Sequence, residues 1–173
     1  MTDTPVEAGA ALLRKVHPTQ VVPDNDGGYR VATGLFRGRP TTEGMKAFSV
    51  FVQARLLAAG VGFEAILGSG EAATSSVAML EVDAVRALGL EAWYRPEGDD
   101  PVLAAAHAEV EGRISGATCS RLSAAATWAI LKPLKLLPKQ WQNKLRKSNS
   151  ETHTKIGQPV CPIFMLKGAI TKV

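Results

Sequence analysis

The run AFSVFVQARLL, residues 47–57, holds two periodicities in eleven residues. Phe48, Val50 and Val52 recur at every second position, so an extended chain places all three on one face. From Val52 onward the spacing Val52, Leu56, Ala59 fits a helix instead. A strand that turns into a helix is expected here, and it sets the fold class: sheet and helix both contribute to the core.

Working outward gives further elements of both kinds. ALLRKV (11–16) reads as a short first strand, stopped by Pro18, which removes a ladder donor. PDNDGGY (23–29) has turn chemistry, and YRVATGLF (29–36) follows as a second strand able to pair with ALLRKV through a long loop. RGRPTTEGMK (37–46) is a second loop. VGFEAILGSGEAATSS (61–76) holds three glycines without a clean period and reads as loop. SSVAMLEV, DAVRALGL and EAWYRP (75–96) suggest strand, short helix and strand, a compact βαβ-like unit.

PEGDDP (96–101) is a turn, and AAHAEVEGRI (105–114) alternates strictly. Ala106, Ala108, Val110 and Gly112 face one way, and His107, Glu109, Glu111 and Arg113 the other. Leu122, Ala125, Ala126, Ala129 and Ile130 form a helical stripe that Pro133 ends, a helix expected to cap the sheet. The expected fold is α+β: a small mixed sheet flanked by short helices over residues 1–131, followed by a basic extension and an apolar segment over 132–173.

The 173 residues suit one domain with an appendage, and 46 % hydrophobic content is ordinary for a globular core. With only 6 % aromatic residues, that core must rest on Ala, Leu and Val. No apolar run approaches the roughly 20 residues of a membrane-spanning helix. The start MTDTPVEAGAALL lacks the positive region of a secretory signal, so the cytoplasm is the expected compartment. Cys119 and Cys161 stand in unlike contexts and read as two reduced thiols. Charge is divided unevenly: residues 1–130 carry 11 Lys+Arg against 15 Asp+Glu, a balance of −4, and residues 131–173 carry 9 against one, +8.

The basic part is concentrated in KPLKLLPKQWQNKLRK (132–147). Lys132, Lys135, Lys139, Lys144, Arg146 and Lys147 meet no acid, and Trp141 shares a helical face with Leu145. Such a segment can neutralise phosphates while Trp141 stacks on a base, which makes these residues candidates for nucleic-acid binding. It can equally lie on an anionic membrane surface, dock to an acidic protein, or serve as a solvated linker. QPVCPIFMLKGAITKV (158–173) either closes the sheet as an edge strand or docks to a partner.

Chemistry-bearing motifs are sparse. The three histidines, His17, His107 and His153, form no HxxxH or HxH pair, and neither cysteine belongs to a CxxC, so no metal site is expected. LGSGEAATSS meets neither the P-loop nor the GxGxxG pattern, and no cofactor can be named. His107 shares a strand face with Glu109 and Glu111, a setting that raises an imidazole pKa and suits it to acid–base work or, equally, to a half-exposed polar face. Arg14 and His17, at a strand end, could hold an anionic group or simply finish the strand.

LLRKVHP, RVATGLF, FSV, RALGL and DDPVLAAAHAEVEG resemble a family of small uncharacterised bacterial proteins over residues 11–130. That family's pattern runs LLRRVHP, then RPSSAAF, Ser-Val, and a late DPxHAxVxG. The resemblance implies importance for Arg14, His17, Arg30, Phe36, Ser49 and His107, with no settled activity. Ala32 and Thr33 stand where the family carries its Ser-Ser pair, leaving one hydroxyl. The order of an Arg/His-bearing strand, a Ser/Thr-bearing strand and a later polar strand is also similar to NAD-using ADP-ribosyltransferase folds. That likeness implies a cleft of Arg14, His17, Thr33, Ser49 and His107 as candidate catalytic residues. Two functions are thus expected: an accessory or adaptor protein that binds a protein partner or nucleic acid through its basic tail, or such an enzyme.

Overall fold

The structure, a computed structural model, describes residues 4–41, 44–68 and 75–132. It is α+β. The described residues hold nine strands: β1 (Ala11–Val16), β2 (Val21–Pro23), β3 (Tyr29–Val31), β4 (Arg39–Pro40), β5 (Lys46–Val52), β6 (Ser76–Glu81), β7 (Glu91–Tyr94), β8 (His107–Gly112) and β9 (Thr127–Ile130). The α-helices are α1 (Gln53–Ala58), α2 (Val82–Arg86), α3 (Pro101–Ala106) and α4 (Gly116–Ala125). The main sheet runs β7-β8-β5-β1-β6-β9 with β4 beside β5, and β2-β3 form a separate hairpin. Every pairing among the described residues is antiparallel.

Strand alternation divides the core. Leu12, Phe48, Val50, Val52, Leu80 and Val110 face one cluster, covered by α4, α2, the β2-β3 hairpin and the 3-10 turn Thr33–Phe36. Leu13 and Val77 face the other, under Leu56 of α1, Ala106 of α3 and the turn at Phe63–Ile66. Each fully buried Leu, Val or Phe contributes about 1.5–3 kcal/mol. The strand-to-helix reading of 47–57 is what the structure shows: β5 passes directly into α1, and Leu56 is 0 % exposed.

Elsewhere the structure departs from the sequence reading. The first strand does not pair with YRVATGLF. Residues of β1 are buried on both faces, so it occupies the sheet interior between β5 and β6, and Val31 pairs instead with Val21 across the Asp24–Gly28 turn. The second strand also ends at Val31, because Thr33–Phe36 winds into its 3-10 turn. Residues 101–106 form α3 rather than leading into an early strand, since Asp100 caps Val102 N and Leu103 N at 2.9 and 3.0 Å and Pro101 opens the helix. Helix α4 starts at Gly116 behind a Ser115–Thr118 capping box and ends at Ala125. Thr127–Ile130, expected within that helix, is strand β9, because β6 offers an unpaired edge to a β-branched and aromatic run. Strands β6 and β7 run the same way, but β1, β5 and β8 lie between them, so 75–96 is a crossover rather than a compact unit.

The N-terminal segment explains how that crossover fits. Val6 N donates to Ala92 O at 2.8 Å and Tyr94 N to Thr4 O at 2.9 Å, which lays residues 4–6 along the free side of β7. By Ala11 the chain is already in β1, mid-sheet. Five residues span at most about 17 Å, whereas four strand spacings in a flat sheet need about 19 Å. The sheet therefore curls, and Arg86 of α2 ties the join by donating to Val6 O at 2.8 Å.

Candidate functional site

Strand β1 pairs with β5 only at Leu12↔Val52 and Leu13↔Phe51. Beyond Leu13 the two strands part, and β4 takes the side of β5 at Ala47 and Lys46. A cleft of about 340 Å³ opens in the wedge, lined by Arg14, Gln20, Gly34, Leu35, Arg37, Gly38, Arg39, Ala47, Phe48 and Ser49.

Arg14 forms its floor. Its Nη1 donates to Ser49 O, its Nη2 donates to Leu35 O at 2.9 Å, and its guanidinium lies 4.8 Å from the centre of the Phe48 ring. The Nε is buried without a partner. Burial pushes the Arg14 pKa down from 12.5 to about 10, which still leaves it charged at neutral pH. No carboxylate pairs with it among the described residues.

The wall is RGR, residues 37–39. Gly38 has φ +66°, and a Cβ there would lie 3.0 Å from Ala47 O, so only glycine lets this backbone come so close to β5. Arg39 reaches across β5 to Glu109 of β8, a carboxylate only 9 % exposed. Exposed Arg37 makes no ion pair among the described residues. A second cleft of about 400 Å³ shares Arg37 and Gly38 and extends past Thr33, Pro40 and Lys46 to Ile114, Ser115, Gly116 and Cys119. Among the described residues no carboxylate lines either cleft.

The expected cleft residues are therefore divided. Arg14 and Ser49 come together in the first cleft, and Thr33 lines the second. His17 lines neither: it caps the turn Pro18–Gln20, its Nδ1 accepting from Thr19 N at 3.4 Å while its own N–H donates to Gln20 Oε1 at 3.1 Å. His107 begins β8 on the sheet face opposite Arg14, 5 % exposed, with Nδ1 2.5 Å from Arg95 O and its ring edge-on to Phe51 at 5.7 Å. Its Nε2 is 3.9 Å from Glu97. The shared face of His107 and Glu109 is as the alternation implies, but both side chains are buried.

Arg30 sits 3.7 Å from Asp24 and 3.5 Å from Ser123 Oγ, and Phe36 packs edge-on to Phe48 at 5.6 Å. Cys119 is buried, its thiol donating to Phe36 O at 3.4 Å.

Sequence reading missed Arg37 and Arg39, which stood in an expected loop. The available signal was two arginines flanking a glycine, with no acid between Asp26 and Glu43. Among the described residues no group of three His, Cys, Asp or Glu gathers as a metal site, and no helix is long and apolar enough to cross a membrane. Of the tail, Lys132 is described and its N–H donates to Ser76 Oγ at 3.1 Å. Lys135, Lys139, Trp141, Lys144, Arg146 and Lys147 lie outside the described residues, as do His153 and Cys161. No family model, curated protein or solved structure matches the chain.

Proposed function

We propose that this chain is an accessory or adaptor protein whose α+β body grips an anionic group of a partner, with the basic extension strengthening the encounter. The observation that carries this reading is the wedge between β1 and β5, lined by Arg14, Arg37 and Arg39 and, among the described residues, by no carboxylate. Guanidinium groups in a partly desolvated cleft hold phosphate or carboxylate by charge-assisted hydrogen bonds. The +8 balance of residues 131–173 adds long-range attraction for the same partners, and nucleic acid is the partner that uses both features.

A transferase reading finds less support. The clefts offer the hydroxyls of Ser49, Thr33 and Ser115, yet among the described residues no imidazole or carboxylate lines them to take a proton from a hydroxyl.

The test is binding of a fluorescent single-stranded oligonucleotide to three proteins: the full chain, a chain ending at Lys132, and the full chain with Arg37→Ala. Truncation should weaken binding and flatten its salt dependence, because the five cations it removes from 132–147 supply a log–log slope of about −3.5 if all meet phosphates. Arg37→Ala should weaken it further without changing thermal unfolding. Binding that neither change alters would overturn the proposal.

A further inference from the structure

The cleft has a narrower chemistry than a general anion site. Of its three guanidiniums, Arg39 is already balanced by Glu109, whereas Arg14 and Arg37 face no carboxylate among the described residues. Among the described residues, two arginines lining one wedge thus lack a balancing carboxylate. Arg14, pinned by Leu35 O and Ser49 O over the Phe48 ring, gives the cleft a fixed cationic floor.

The charge count then separates candidates. A carboxylate or an internal phosphodiester carries one negative charge and leaves one guanidinium unbalanced. A phosphate monoester carries close to two at neutral pH and presents three acceptor oxygens. A volume of about 340 Å³ also exceeds what a bare phosphate fills, leaving room for the group that bears it. Gly34 and Gly38 at the rim present backbone without side chains, so that group meets little obstruction.

We propose that the wedge between β1 and β5 is a site for a terminal phosphate monoester, with Arg14 as its floor and Arg37 as its outer clamp. This rests on the reading of the cleft as an anion site and names its ligand class. Two sources share the chemistry: the 5′-phosphate end of a nucleic acid strand and a free mononucleotide.

The experiment measures affinity of the full chain for four probes: a 5′-phosphorylated oligonucleotide, the same strand ending in 5′-hydroxyl, adenosine 5′-monophosphate, and acetate. The phosphorylated strand should bind at least about tenfold more tightly than the hydroxyl strand, the effect of one or more charge-assisted hydrogen bonds. Arg37→Ala should abolish that preference, and Arg37→Lys should restore part of it. Because Arg37 is exposed, neither variant should shift the thermal midpoint; Arg14 is left intact, since its loss could unfold the wedge. Tight binding of the mononucleotide without a preference between strands supports the site and assigns it to free phosphate esters. Equal binding of both strands with no mononucleotide binding overturns the monoester site and leaves the broader adaptor function standing. Acetate competing as well as the mononucleotide also overturns it, and no binding of any probe overturns both.

Discussion

Arg14 shows how far a single residue could be read from sequence. An arginine between Leu13 and Lys15 near a strand end is visible as a candidate, but its partners are backbone carbonyls 21 and 35 residues away, which no local pattern reveals. Its energetics balance two terms. The fall in pKa from 12.5 to about 10 corresponds to roughly 3 kcal/mol of desolvation. Two hydrogen bonds from a charged donor return about 1.5–3 kcal/mol each, and the stem adds packing on Phe48. Arg14→Ala should therefore lower stability by about 1–3 kcal/mol, read from the urea midpoint; a variant as stable as the parent would mean that desolvation cancels the bonds. Glu91 gives a prediction with a pH sign. The bond from Arg86 holds its carboxyl below 4.5, so the stabilisation is complete above the unfolded value and is lost as pH falls through the lower folded one. The stability gap between the parent and Glu91→Gln should accordingly be larger at pH 7 than at pH 3, and a constant gap would remove Glu91 as its source.

At the scale of elements, the sequence was most legible where one periodicity changed cleanly into another. In 47–57 the buried set moves from Phe48, Val50 and Val52 to Leu56, and β5 and α1 follow it. Residues 122–130 are the counter-example. Small alanines fit helix and strand alike, and the choice of strand for Thr127–Ile130 was made by the open edge of β6, a tertiary circumstance. Helix α3 was readable but overlooked: Asp100 followed by Pro101 is a helix start, and only the strict alternation after Ala106 drew attention away. Asp100 satisfies two otherwise unpaired N–H groups of that helix. Asp100→Ala should destabilise the fold by about 1 kcal/mol, whereas Asp100→Ser should restore most of it. Equal urea midpoints for Asp100→Ala and the parent would show that Pro101 alone sets the helix start.

For the whole molecule, periodicity disclosed the fold class and composition the charge division, while the order of strands stayed hidden because every neighbour in the main sheet except β4-β5 and β7-β8 is distant in sequence. The wedge is a product of that order: it exists only because β1 enters the sheet interior and diverges from β5. What places β1 there includes the short N-terminal segment, since Val6 is fully buried, Thr4 and Val6 bond to β7, and Gly9 N donates to Asp83 Oδ1 at 3.3 Å. Removing residues 1–7 takes out one buried valine, about 1.5 kcal/mol, and two edge hydrogen bonds of about 1 kcal/mol each, and it deprives Arg86 of Val6 O. The shortened chain should lose about 3–4 kcal/mol in urea and, with the outer side of β7 exposed, should self-associate in sedimentation velocity. The oligonucleotide binding proposed for the cleft should be lost with that destabilisation, because the curl that sets β1 against β5 is held from this end. A chain lacking residues 1–7 that stays monomeric with the parent's urea midpoint would show that β1 finds its place without the segment.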